Sequence, residues 1–236
     1  AALTYFVKKV RKSTWFTVAP TVLSTSGGQA GFGQSWSWKI SRAGDYLLRT
    51  WLRIALPAVS LSSTAPLANG WANANCSLRW TRNLAHNLIK EINISFNDLV
   101  AERMDSYFLD FWAAFTIPAG KRNGYDNMVG NVADLIDPSP AGTAIPAYTL
   151  NLPLPFFYGR DSGVALPTAA LPYNEMRINF SLRDWSELLI VESVSGATAE
   201  QRVVPTVGSA ATNHLLAAPS LSNVQVWANY AIVSND

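Results

Sequence analysis

A chain of 236 residues that is 49% hydrophobic and 14% charged carries enough apolar material for one large core without disulfide or metal staples. Its formal charge of +2 neutralises few phosphates, which argues against bulk nucleic-acid coating, and its apolar stretches break off well short of a membrane span. The single Cys76 excludes an intramolecular disulfide framework, and no basic, hydrophobic leader opens the sequence. The expectation is one domain over residues 1–236, neither exported nor anchored, with Cys76 a buried thiol in a reducing compartment.

In chain order, the recurring signal is period two, the spacing of a strand with one buried face. Strand B falls within "TYFVKKVRKSTWFTV", residues 4 to 18. Strand C covers 35 to 40, with Trp36, Trp38 and Ile40 on one side. The turn "SRAG" leads into D at 45 to 56, where Leu48, Thr50, Leu52, Ile54 and Leu56 oppose Arg49, Trp51 and Arg53. Strand E covers 90 to 96 with Ile92, Ile94 and Phe96 on one face, and Asn97-Asp98 makes a tight turn into F near 99. Then the period changes. Phe108, Phe111, Trp112 and Phe115 recur at helical spacing, Asp105 caps the first turn and Pro118 marks the stop. This predicts a helix from about 106 to 116 whose aromatic stripe packs as core. Strands G at 148 to 155, H at 175 to 183 and I at 223 to 233 return to alternation, for example Met176, Ile178, Phe180 and Leu182 in H.

Strands of this number, with helix confined to one connection, point to an all-β fold. The simplest candidate is an eight-stranded antiparallel jelly roll, a two-sheet sandwich with a short helical insertion in the F–G connection. In that topology B–C, D–E, F–G and H–I emerge at one end. Here D–E, F–G and H–I are long and poor in charge while C–D and E–F are tight, so the long connections gather at a single end.

The stretch "GRDSGV" sets Asp161, Ser162 and Gly163 as they surround the nucleophile of trypsin-like proteases, with His86 upstream in the order such enzymes use. The neighbours do not fit. Arg160 stands where the glycine of the oxyanion hole belongs, and Val164 replaces the glycine after the motif. Ser162 therefore reads as a solvent-facing turn. A cupin-like metal site needs two or three converging histidines and a carboxylate; His86 and His214 are the only histidines, and neither has a ligand at i+2 or i+4. His86 reads as packed or bonded to backbone, and His214 as part of a surface loop. Gly27, Gly28, Gly31 and Gly33 precede a strand rather than a helix, so they form no phosphate cradle.

Asn75, Asn93 and Asn179 begin N-x-S triplets that read as chance matches. The basic cluster "KKVRK" at 8 to 12 reads as a solvated strand end, the alternative being contact with an acidic partner or lipid head groups. Trp51, Trp71 and Trp227 are candidate sugar platforms of a lectin-like, carbohydrate-binding module; the competing reading has them filling space against a neighbouring barrel. The expectation is no catalytic, cofactor-binding or metal-ligating residue.

Several long strings, in order, carry a resemblance. "KSTWFT", "SRAGDYLL", "LRWTRNLAHNLI", "SFNDLVAERMDSYFLDFWAAFTIPAGKRNGYDNM", "LNLPLPFF", "RDSGVALPTAALPYNEMRINF" and "VQVWANYAIVSN" resemble the major capsid protein family of iridoviruses from about residue 5 to the last residue. The resemblance implies a double jelly-roll capsid protein of large nucleocytoplasmic DNA viruses. Such proteins carry two tandem jelly rolls and form homotrimeric capsomers of pseudo-hexagonal outline that tile an icosahedral shell over an internal membrane. It implies self-association, contact with minor capsid proteins, proximity to that membrane, no direct nucleic-acid contact, and a place in the virion after assembly in the host cytoplasm. The chain lacks an initiator Met and ends at "AIVSND", where the family's second barrel begins, so it is expected to hold the first jelly roll. In the family, "GRDSGVALPTAALPYNE" matches the G–H connection, with Asp161 and Gly163 making a turn and Pro167 and Pro172 stiffening it. The long connections are expected to face outward, and "SRAG", the Asn97-Asp98 turn and "KKVRK" to lie at the base.

Overall fold

The computed structural model describes residues 14–25, 27–62, 76–171, 173–193, 201–208 and 213–233. The basic cluster at 8 to 12, Trp71, Asn75 and Pro172 lie outside the described residues.

Two antiparallel sheets enclose the core. The first orders β1 (Phe16–Val22), β14 (Ser222–Val233), β4 (Tyr46–Leu56) and β9 (Tyr148–Leu154), with the short β10 (Leu166–Pro167) continuing along β4 beyond β9. The second orders β2 (Ser24–Thr25), β3 (Ser35–Lys39), β11 (Met176–Leu182), β6 (Ile89–Phe96) and β7 (Leu99–Met104). In the lettering above, these read B-I-D-G and C-H-E-F, the two sheets of a jelly roll. Strand B, expected within residues 4 to 18, starts at Phe16 inside that stretch and runs past it to Val22.

Alternation places the core. Trp36, Trp38, Ile92, Ile94, Met176, Ile178, Phe180 and Leu182 from the second sheet meet Leu52, Ile54, Leu150, Leu152, Val226 and Tyr230 from the first, all buried. Trp36 stacks on Phe180, with ring centroids 5.7 Å apart. One face assignment fails at the start of β4. Leu47, not Leu48, is buried, because the register slips between Asn229 and Tyr230, which pair with Arg49 and Leu47. Leu48 is the extra residue of a β-bulge, and beyond it the pattern runs one position out of phase. The Asn97-Asp98 turn is as expected: both residues have positive φ, 49° and 66°, the two left-handed positions that match the twist of a tight hairpin.

The connections hold more structure than their composition suggested. β5 (Cys76–Trp80), β8 (Ser139–Pro140), β12 (Leu189–Ser193) and β13 (Gln201–Val203) pair as a third sheet in the order β13-β12-β5-β8. Its strands come from D–E, F–G and H–I, which fixes those connections together at one end. Cys76 is buried there, forms no disulfide, and its thiol pKa is pushed up by burial. Helix is not confined to F–G: α1 (Leu84–Leu88) follows β5, and α5 (Trp185–Leu188) precedes β12. F–G itself carries α2 (Ser106–Thr116), α3 (Ala119–Val129) and α4 (Ala133–Ile136).

Helix α2 covers the residues expected. The Asp105 side chain accepts a hydrogen bond from the Phe108 backbone N–H, satisfying one of the first-turn donors. It ends at Thr116 because Ile117, before Pro118, is driven to an extended backbone. Pro118 then opens α3, whose exit is the left-handed Gly130, φ 81°. A Cβ at Gly130 would sit 2.7 Å from Leu150 Cδ2, so both conformation and space require glycine. Asp105→Ala is expected to cost about 1 kcal/mol of stability. A denaturant midpoint equal to that of the unaltered chain would contradict this cap.

Candidate functional site

Ser162 lies in an exposed single turn of 3-10 helix, Ser162–Val164, where Asp161 accepts a hydrogen bond from the Gly163 N–H. This is the turn expected of Asp161 and Gly163. Pro167, which follows, sits in β10. Neither histidine supplies Ser162 with a base, since both are engaged elsewhere. Among the described residues, no group of three or more His, Cys, Asp or Glu converges as a metal site would require.

His86 is packed as expected, though its polar partners differ, and His214 departs from expectation. His86, 1% exposed, is bonded to side chains rather than backbone: Nδ1 lies 2.6 Å from Asp110 Oδ1 and Nε2 2.6 Å from the Tyr125 hydroxyl. The two bonds tie α1, whose Leu84, Ala85 and Leu88 are buried along with the imidazole, to α2 and α3. His214 is buried rather than on a surface loop. Its Nδ1 accepts the Thr206 N–H at 3.2 Å, and its backbone N–H donates to the Thr206 carbonyl, which draws the ring inward. Burial lowers the pKa of both imidazoles, in His86 against the opposing pull of Asp110.

What distinguishes the surface is the contrast between the outer faces of the two sheets. On the second sheet, that face is bonded across strands by polar side chains, with Val100 exposed opposite Ser95 on the edge strand. Ser35 reaches Ser181, Ser37 reaches Asn179, Asn179 reaches Asn93, and Arg103 pairs with Glu91 at 2.8 Å. Asn93 and Asn179, both of N-x-S triplets, are thus rungs of a polar ladder. The first sheet differs. Val22 lies opposite Trp227, which lies opposite Trp51, and Val18 lies opposite Ala231, which lies opposite Tyr46. Phe16, Val18, Val22 and Tyr46 are exposed on that face. The indoles of Trp51 and Trp227 stack on each other, 6.2 Å apart and 9° from parallel, so each covers a face a sugar would need.

A groove of about 740 Å³ runs between this face and the helices, lined by Trp51, Trp112, Met128, Pro153, Arg49 and Asn229. At its side, Arg160 lies over the Trp112 ring, 5.1 Å from the centroid, and pairs with Glu102 at 3.3 Å. The helix above it corrects the aromatic-stripe expectation. The buried face of α2 is Ser106, Leu109 and Ala113, with Phe108 and Trp112 half-buried at its margins. Tyr107, Phe111 and Phe115, spaced by four, stand outward at 78%, 61% and 76% exposure, with Phe111 stacked on Phe115. Such a row on a soluble surface is a marker of contact with another surface.

The opposite end of the barrel is compact and polar. Arg42 donates to the carbonyls of Leu171 and Asn174, and Asn97 bonds Asn174 and the Glu175 N–H. These bonds lash C–D and E–F to G–H.

Residues 4–233 match the family described as "Major capsid protein N-terminus". The chain is 59% identical over its whole length to the major capsid protein of Tipula iridescent virus and 39% identical to that of Frog virus 3, covering 49% of each. It is 60% identical to that of Simulium iridescent virus, covering 48%. The chain thus spans about half the length of the curated relatives it matches. The fold is similar to the Faustovirus major capsid protein, with a TM-score of 0.67 at 12% identity over 99% of this chain and 57% of that one. It is also similar to a chain of the PBCV-1 virus capsid, with a TM-score of 0.64 at 20% identity over 98% of this chain and 46% of that one. A match that takes in nearly every residue, on a barrel whose sheets pair as a jelly roll, assigns the family: the chain belongs to the major capsid protein N-terminus family.

Proposed function

We propose that this chain is the first of two tandem jelly rolls in a viral capsid subunit, and that three subunits form a pseudo-hexagonal capsomer of an icosahedral shell. The observation that carries the reading is the family match over residues 4–233, in a chain that spans about half the length of relatives named major capsid protein. The uneven surface supports it. A barrel walled in by a sister barrel and by neighbouring subunits leaves apolar side chains on its outer faces when taken alone, as Phe16, Val18, Val22 and Tyr46 are here.

In this reading the chain builds a wall and performs no reaction. It holds no catalytic, cofactor or metal site; Ser162 makes a turn, and His86 and His214 join elements. Its partners are its own copies, with minor capsid proteins and an internal membrane facing the base and no direct contact with nucleic acid. It assembles in the host cytoplasm and resides in the virion. The end bearing α2, α3 and the third sheet faces outward, where length variation meets least steric resistance; the end bound by Arg42 and Asn97 faces inward.

Sedimentation equilibrium of the polypeptide, extended to the length of its relatives, tests the association. A homotrimer is expected; a monomer at every concentration would overturn the reading.

A further inference from the structure

The junction around His86 is a titratable group sealed between three helices, and its two ring nitrogens are both committed. Since Asp110 accepts at 2.6 Å, Nδ1 carries the proton, and Nε2 accepts from the Tyr125 hydroxyl. Tyr125 keeps its own proton, because burial, reinforced by the negative charges of Asp110 and Asp126, raises its pKa against the opposing charge of Arg122. A second proton on the imidazole turns Nε2 from acceptor to donor. The Tyr125 hydroxyl must then turn its hydrogen away, and a charged ring is left in a site 1% exposed.

We propose that His86, held between Asp110 and Tyr125, is an acid-released catch whose opening frees α2 and α3 from α1 and loosens the helical insertion at the loop end of the barrel. The inference goes beyond the shell reading and does not rest on it.

The elements packed against α1 carry Asp110 and Tyr107 on α2, Tyr125, Asp126, Lys121 and Arg122 on α3, Tyr148 on β9, Glu187 on α5, and Lys90 and Glu91 on β6. Of these, Asp110 and Tyr125 bond the ring and Asp126 acts on it through its charge. Glu91 pairs with Arg103, Glu187 stands 4.0 Å from Arg183, and the Tyr148 hydroxyl donates to the Asn127 carbonyl. Burial is the largest influence on the His86 ring and lowers its pKa below 6.5; the Asp110 bond and the charges of Asp110 and Asp126 oppose it. In the opened state the ring meets water and protonates at its ordinary value. The closed junction is therefore fully favoured above about pH 6.5 and weakens as pH falls below it. The open population grows by at most about tenfold per pH unit until the closed-state pKa is reached.

Backbone hydrogen exchange of the full-length protein between about pH 7.5 and pH 5, corrected for intrinsic exchange, reads the opening directly. Amides of α2 and α3 are expected to open about tenfold more often at the acid end, while those of β4 and β14 stay unchanged. His86→Gln, which cannot take up the proton, removes the rise. Asp110→Asn, at a carboxylate 41% exposed, takes away the charge that tempers the closed-state penalty, so it enlarges the rise. If His86→Gln does not fold, Asp110→Asn decides. Flat exchange in the unaltered protein, a rise that persists in His86→Gln, or a rise that is unchanged or smaller in Asp110→Asn overturns the proposal.

Discussion

Phe180→Ala is expected to lower the unfolding free energy by about 3–5 kcal/mol, the range for emptying a fully buried aromatic site. Phe180 is 2% exposed, and its ring lies against Trp36 across the β11–β3 pair, so truncation strips one face of the largest side chain beside it. The neighbours sit on sheet strands whose register is fixed by hydrogen bonds, which prevents them from collapsing into the space. A urea midpoint lowered by about 1–2 M is the expected reading. A change of only a few tenths of a molar would mean that the two sheets do not close on this pair.

The second large effect is on association rather than folding. Phe111→Glu combined with Phe115→Glu places two charges on an outward row that the barrel does not bury, so the fold is retained. If the row seats a neighbouring subunit, each aromatic is a candidate anchor worth about 2 kcal/mol or more, and the pair together weakens assembly by about a thousandfold. Circular dichroism unchanged while capsomers fail to form is the expected combination. Normal assembly by the doubly substituted protein would remove α2 from the contact surface.

The parts of this fold that were legible in the sequence are those with one wet face. β3, β6, β9, β11 and β14 alternate because one side of each meets the core and the other does not, and their bounds fall within a residue or so of the expected ones. The third sheet was invisible for the complementary reason. Leu189, Ile190 and Val191 are all buried, as are Cys76, Ser77 and Leu78, so strands covered on both faces lose their period and read as apolar loop. At β4, adjacent Leu47 and Leu48 leave the phase undetermined, and only the bulge in pairing with β14 decides it.

The surface was legible in kind but not in direction. Helical spacing identifies an aromatic stripe on α2, yet spacing alone does not say which flank meets the barrel; Leu109 and Ala113 do so, and Phe111 and Phe115 do not. The His86 junction was out of reach, since its partners lie 24 and 39 residues away on two other helices. The clue present was the Tyr125 and Asp126 pair in a polar stretch, whose glycines Gly120 and Gly124 hid helix α3.

The central claim, that this chain is one barrel of a shell subunit standing with its loop end outward, is tested most directly by a cryo-electron microscopy map of intact particles in which side chains can be traced. The account predicts pseudo-hexagonal capsomers in which residues 16–233 form an upright barrel, α2 and α3 at the outer surface, and Arg42 and the Asn97-Asp98 turn toward the interior. Density with this barrel absent from the shell, or present with α2 and α3 facing inward, would contradict it.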